Sequence, residues 1–275
     1  MPPVATNPIR MGIAMTDTAL VTMDINDGIA HVRLNRPAKH NAINDALLLE
    51  LEALFNPLDD AIRVVVLTGS GDNFCAGLDL AEHQAREPFE VVRHSQMWHR
   101  VFGKMTNAGI PIVAVLKGAV IGGGLELALS ADVILAADHA SFALPEITSG
   151  TVADAASIKL PKRIPYHIAM EMLFTGRWLD AEEAHRWGFV NHIHAADDLM
   201  TQAWNMARLL ASGPPLVYAA IKEIVRDAED SNFQDAMNRI TKRQLKTVDV
   251  LYGSEDNAEG ARAFAEKRDP VWKGR

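Results

Sequence analysis

The stretch IVAVLKGAVIGGGLELALSAD, residues 112–132, carries the strongest structural signal in the chain. It opens as a short apolar run rich in β-branched residues, which suits a buried strand. It then meets Gly122, Gly123 and Gly124 and continues through Leu125, Leu127, Ala128 and Leu129 as the apolar start of a helix. A strand that turns through glycines into a helix leaves backbone N–H groups free at the helix N-terminus. With the helix dipole, those groups suit a ligand oxygen carrying negative charge. Glu126 stands three residues after Gly123, about one turn into the helix on the same side. The stretch therefore offers an oxyanion donor and a carboxylate together. It equally fits a tight strand–helix packing turn with a surface Glu.

Working outward, residues 20–25 and 29–34 pattern as strands around Asn26-Asp27-Gly28, a hairpin turn signal. Residues 35–42 form a loop. Asn44 or Asp45 caps the next helix, whose apolar stripe is Leu47, Leu48, Leu51, Leu54, Phe55 and Leu58. Residues 63–69 are a buried strand, 71–80 a loop, and 80–107 a helical region. Downstream of the central stretch, residues 132–137 form a strand and 141–146 a short extended piece ending in Glu146. Residues 153–188 look helical, with Pro161 and Pro165 as punctuation, and 189–194 form a last strand. Helices alone follow, at 197–211, 215–229, 231–251 and 255–268. Strand–helix alternation predicts an α/β core built from βαβ-like turns. The organisation expected is a loose tail over residues 1–17, a core over 18–195 and a helical region over 196–275. The last two helices have apolar stripes and little of their own to pack on, so they are expected to cover a neighbouring subunit.

The chain has 275 residues, ample for a full core, and a formal net charge of −8, which argues against a general nucleic-acid partner. Its single cysteine, Cys75, excludes an intrachain disulfide framework and fits a reducing compartment. No apolar run approaches the roughly 20 residues that span a bilayer. The first 17 residues contain Pro2, Pro3 and Pro8 and no apolar signal-peptide segment. A cytoplasmic protein with no membrane partner is the expectation.

Two glycine-containing loops follow buried strands, FCAGL at 74–78 and IGGGL at 121–125. Convergent N–H groups from such loops would make an oxyanion hole, as for a thioester enolate. Glycine lets backbone approach a ligand with no Cβ in the way. Glu126 and Glu146 each closely follow an apolar strand-like run. If those strands are neighbours, the carboxylates share one volume and can divide acid and base roles; taken alone, Glu146 also fits a surface position. The chain lacks G-x-G-x-x-G, GK[ST] after a glycine loop, G-x-S-x-G and H-E-x-x-H. His192 and His194 read as one face of a solvated strand, with no metal site. Cys75 reads as packed. Lys104, Lys117, His83, His94 and His99 read as solvated.

Several segments resemble, in order and spacing, the enoyl-CoA hydratase/isomerase (crotonase) superfamily. They are Asn35-Arg-Pro with Asn41-Ala42, residues 74–79, Gly118 with 122–126, Ala131-Asp132, residues 142–146, the Thr175-Gly-Arg to Asn191 pattern, and the tail 263–268. The likeness runs from about residue 19 to the end. Residues 142–146, 160–165 and 171–177 look most like the carnitinyl-CoA dehydratase branch. The resemblance implies a spiral of ββα units with a C-terminal helical region, assembled as homotrimers or homohexamers (dimers of trimers). It implies an acyl-CoA thioester substrate and no cofactor beyond the coenzyme A of that substrate. Its oxyanion hole falls on the backbone N–H groups of Leu78 and Gly123, and its hydratase carboxylates on Glu126 and Glu146. Its CoA contacts fall on Ala38, Lys39, His40, Ala42 and Ala76, with Phe264 and Lys267 reaching the CoA of an adjacent subunit.

One departure stands out. Where typical hydratases have a glycine-rich G-x-x-P-G-x-G-G loop, this chain has GTVADAAS at 150–157. Asp154 there reads either as a helix cap or as a third carboxylate in the acyl pocket, suited to a cationic acyl group. The leading function is an acyl-CoA hydro-lyase. The rivals are a Δ3,Δ2-enoyl-CoA isomerase working with one carboxylate and a catalytically silent CoA-binding member of the superfamily.

Overall fold

A computed structural model describes residues 19–83 and 87–275, apart from the side chains of residues 82, 83 and 88. The tail expected at 1–17 and the solvated reading of His83 fall outside this description. The chain starts as an antiparallel hairpin of β1 (Val21–Asn26) and β2 (Ile29–Leu34). Asp27 and Gly28 both take positive φ, 49° and 75°, as a tight two-residue hairpin turn demands. Helix α1 (Asp45–Leu54) follows, capped by the Asn44 side chain, which accepts from the Leu47 N–H.

The middle of the chain repeats a strand, a short second strand or bridge, and a helix. β3 (Val64–Gly69) leads through a bridge at Cys75 into α2 (Leu80–His83) and α3 (Pro88–Asn107). β4 (Ile112–Leu116) leads through β5 (Ala119–Ile121) into α4 (Gly123–Ala128). β6 (Val133–Ala137) leads through β7 (Ser141–Ala143) into α5 (Asp154–Arg163) and α6 (Tyr166–Thr175). Then come β8 (Leu179–Asp180), α7 (Ala181–Arg186), β9 (His192–His194) and α8 (Ala196–Ala211). Helices α9 (Pro215–Ala228), α10 (Phe233–Thr241), α11 (Lys246–Tyr252) and α12 (Glu255–Glu266) complete the described chain.

Each turn of this winding contributes to two walls. The larger sheet runs β1-β2-β3-β4-β6-β9, parallel from β2 onward. The second wall joins β5, β7 and β8, and Cys75 extends it by bridging to Val120. The expected α/β spiral of ββα units is what the winding forms. β3 is buried along its whole length because both faces of a parallel sheet are covered. Val65 and Leu67 face the main core with α1 and α3, while Val64 and Val66 meet Leu199, Ala203 and Ala207 of α8. The composition turns all-helical near residue 195, yet α8 still packs on the sheet, and the helices that leave it begin with α9.

Three sequence expectations change. The apolar run read as one strand before Gly122 divides at Lys117-Gly118 into β4 and β5, the second too short for its period to register. The helical stretch 153–188 breaks at Gly176, in the left-handed conformation at φ 64°, and admits β8. The run at 231–251 divides into α10 and α11 around Arg243, at φ 57°.

The loop between β2 and α1 is pinned by one buried side chain. Asn41 is fully buried; its Oδ1 accepts from the Arg36 N–H, and its Nδ2 donates to the carbonyls of Ser70 and Asn73. Asn41→Ala leaves these groups without partners, at about 1–3 kcal/mol for a buried group. We expect urea unfolding to give a lower midpoint and an unfolding free energy reduced within that range, and an unchanged midpoint would show that the loop finds other partners.

Candidate active site

Two loops meet beside the second wall. The Ile43 N–H donates to Gly77 O at 2.7 Å, and the Asp79 N–H donates to Ile43 O at 2.9 Å. These bonds flank Leu78 and turn its own N–H the other way, because successive groups of an extended chain face opposite sides. Arg36 clamps the junction, donating to Ala42 O at 2.5 Å and to the Asp79 carboxylate at 3.0 Å. Gly77 has φ 85°, and a Cβ there would lie 2.7 Å from Ile121 O and 3.3 Å from Gly123 N. Only glycine lets this loop press so closely against the N-terminus of α4. Gly123 is the first residue of α4, so its N–H has no carbonyl partner within the helix.

A cavity of about 230 Å³ opens over this junction. It is lined by Leu78, Gly123, Glu126, Glu146 and Asp154, together with residues of α3. Leu78, Gly123 and all three sequence-selected carboxylates thus share one volume. The surface alternative for Glu126 does not hold, since the residue is only 7% exposed.

The carboxylates sit in unlike surroundings. Glu126 Oε1 accepts the Ala156 N–H at 2.9 Å. Ala156 is the third residue of α5, whose N-cap position, Ala153, supplies no side-chain acceptor. Glu126 therefore caps α5 from another helix, where the dipole favours negative charge. Burial raises the Glu126 pKa, and nearby Asp154 raises it further; the backbone bond to Ala156 and the charge of Lys159 oppose this. Glu146 follows β7 on a short 3-10 turn, Pro145–Ser149. Burial pushes its carboxyl up to about 7, and the charge of Glu126 adds to the shift. Among the described residues its buried Oε2 has no hydrogen-bond partner.

Asp154 is the first residue of α5 and makes no capping bond. Its Oδ2 accepts from Ser95 Oγ at 2.5 Å instead. The helix-cap reading fails because Ala153 occupies the cap position.

The resemblance-derived CoA positions divide into two groups. Ala38, Lys39 and His40 are exposed, and Ala42 and Ala76 half-buried. The Ala76 N–H donates to His40 O at 3.0 Å, so these segments adjoin the Leu78 loop. Phe264, 88% exposed on α12, and the exposed Lys267 do not line the cavity of their own chain.

Residues 24–275 match the family described as Enoyl-CoA hydratase/isomerase. The chain belongs to the enoyl-CoA hydratase/isomerase family. A carnitinyl-CoA dehydratase of Escherichia coli (strain SMS-3-5 / SECEC) is 42% identical over 260 residues, covering 91% of this chain and 97% of its own. One from Citrobacter koseri is 42% identical over 259 residues, covering 90% and 95%. The crystal structure of an enoyl-CoA hydratase from Bacillus anthracis has a TM-score of 0.86 at 29% identity, covering 94% of this chain and 100% of that one. The fold is the crotonase fold.

In this enoyl-CoA hydratase/isomerase family member, α3 adds residues that sequence reading passes over. His94, expected to be solvated, is only 7% exposed. Its Nε2 accepts the Trp98 Nε1–H at 2.7 Å, and its Nδ1 lies 2.9 Å from Asp45 Oδ1. The Trp98 ring abuts Gly123, where a Cβ would come within 2.4 Å of it. Spacings of four along α3, from His94 to Trp98 to Phe102, are the available signal. Lys159 also escapes the sequence. Its Nζ donates to Ser130 Oγ at 2.9 Å, which donates to the Glu126 main-chain O at 3.1 Å. Burial pushes the Lys159 pKa down to about 8. Cys75 is buried, its thiol pushed up to about 12 by burial, in line with packing.

The raised Glu146 pKa has a consequence for stability. The folded chain holds this proton more tightly than the unfolded chain does, so ionisation opposes folding above the ordinary value of 4.5. Relative to wild type, Glu146→Gln should gain stability as pH rises from 4.5 through about 7, with no such gain below 4.5. Urea midpoints measured across this range test it; a pH-independent offset would contradict the assignment.

Proposed function

We propose that the protein is an acyl-CoA hydro-lyase that adds or removes water across the α,β double bond of an enoyl-CoA thioester. The observation that carries this reading is the meeting of a buried carboxylate, a half-buried one and two loop N–H donors on one cavity. The thioester carbonyl sits between the N–H groups of Leu78 and Gly123, which stabilise the enolate-like charge that develops. Ala156 and Lys159 favour the charged form of Glu126 against the burial that raises its pKa, which suits it to the role of base. It orients a water and takes its proton as oxygen attacks the β-carbon. Glu146, held near neutrality, delivers a proton to the α-carbon. Afterwards Glu126 holds the proton and Glu146 is ionised, so the pair carries one proton in both directions.

The CoA moiety lies along Ala38, Lys39, His40, Ala42 and Ala76 at the mouth. In a homotrimer or homohexamer, Phe264 and Lys267 of a neighbouring copy reach it, which supports a role for their exposure on α12. No cofactor beyond the substrate's own coenzyme A enters the scheme. Among the described residues no helix is long and apolar enough to cross a membrane. The acyl group is cationic and of the carnitinyl type: Asp154 places a third carboxylate on the cavity, and the curated relatives named carnitinyl-CoA dehydratase point the same way.

Glu126→Gln and Glu146→Gln should each lower turnover about a hundredfold to ten-thousandfold while binding of a saturated CoA ester persists. Loss of the enone thioester absorbance, followed with crotonyl-CoA and crotonobetainyl-CoA in parallel, measures this; near-normal hydration by either variant would sink the acid and base roles of the pair. In the same assay Asp154→Asn should lose activity on crotonobetainyl-CoA selectively. Equal loss on both substrates would remove Asp154 from acyl recognition.

A further inference from the structure

The cavity has an inner end and a mouth that differ in exposure. Val91 and Val152 line it at 39% and 69% exposure, whereas Trp98, Phe102 and Glu126 line it at 8%, 3% and 7%. The indole and the Phe102 ring meet edge to face, with centroids 5.5 Å apart and an interplanar angle of 87°. The indole lies against Gly123, where a Cβ would come within 2.4 Å of it. At about 230 Å³, the cavity is smaller than the roughly 300–1,000 Å³ typical of drug-sized ligands.

The indole is held from behind. Its N–H is committed to His94 Nε2 at 2.7 Å, and His94 is placed in turn by Asp45, at the start of α1. A second groove on the outer side of α3 is lined by Asp45 and His94, so this brace separates the acyl cavity from outside space. A ring whose rotation would break a buried hydrogen bond is a rigid stop rather than a flexible gate.

We propose that Trp98, braced by His94 and Asp45, sets the length of acyl group this cavity accepts and confines the protein to short acyl-CoA esters. The proposal rests on the CoA-ester reading above. Trp98 acts by touching the acyl group, and His94 is a positioning residue. Chain-length preference is the quantity to read, because a general structural defect would weaken all esters together.

The test is calorimetric binding of butanoyl-CoA and decanoyl-CoA to the full chain and to Trp98→Ala, Trp98→Leu and His94→Leu. Saturated esters cannot turn over, so binding is separated from chemistry. Wild type should prefer butanoyl-CoA by at least about tenfold, as hydrophobic pockets discriminate by size. Both Trp98 variants should lose or invert that preference, with Trp98→Leu the milder change should Trp98→Ala fail to fold. His94→Leu should shift the ratio the same way by less. Equal binding of both esters by wild type, or an intact preference in a folded Trp98 variant, overturns the proposal. An unmoved ratio in His94→Leu overturns the brace. Failure of wild type to bind either ester would instead overturn the CoA-ester reading itself, and this proposal with it.

Discussion

Two carboxylates share one cavity, and the N-terminus of α5 donates to one of them, Glu126. The rest of the site follows from that inequality. Burial alone would push both groups toward neutrality. The α5 N-terminus opposes this at Glu126 through the Ala156 N–H, whereas Glu146 is opposed by its own backbone N–H and keeps a buried Oε2 without a hydrogen-bond partner among the described residues. Removing the α5 contact would take this support from Glu126 and leave Glu146 as it is. The segment at 150–157 therefore has an electrostatic duty as well as a steric one.

The backbone geometry around these groups depends on loops anchored from a distance. Asn41 and Arg36 fix the turn before α1, that turn fixes Gly77 through Ile43, and Gly77 fixes where Leu78 meets α4. Each link is a hydrogen bond or a close approach that a Cβ would prevent. The spiral makes this possible, since successive turns of chain lie one against the next and each strand end delivers its loop to the same side.

Much of this was legible in sequence. The glycine run after a β-branched stretch located α4 and Glu126, and alternation of strands and helices pointed to the α/β class. The carboxylates stood out because each closely follows a strand-like run. The α3 contribution was harder to see. His94, Ser95 and Trp98 lie on a helix without a defining motif, and which face turns inward depends on the turn of chain it packs against. The environment of Asp154 was equally hidden: its partner, Ser95, lies 59 residues away, and helix starts are assigned from local signals that a distant acceptor such as Glu126 can replace. β5 was missed because three residues are too few to show a period.

Every residue of α4 is buried, and Gly124 sits so close to Cys75 that a Cβ would lie 2.4 Å from its carbonyl oxygen. Such a helix has almost no freedom to vary: each position is spoken for by backbone or core. The opposite wall, made by α3 and the 150–157 segment, also presents exposed side chains such as Val91 and Val152, whose replacement leaves that packing intact. Adaptation to a new acyl group is thereby channelled to one wall, and a designer seeking altered selectivity with unaltered chemistry has a short set of positions to randomise.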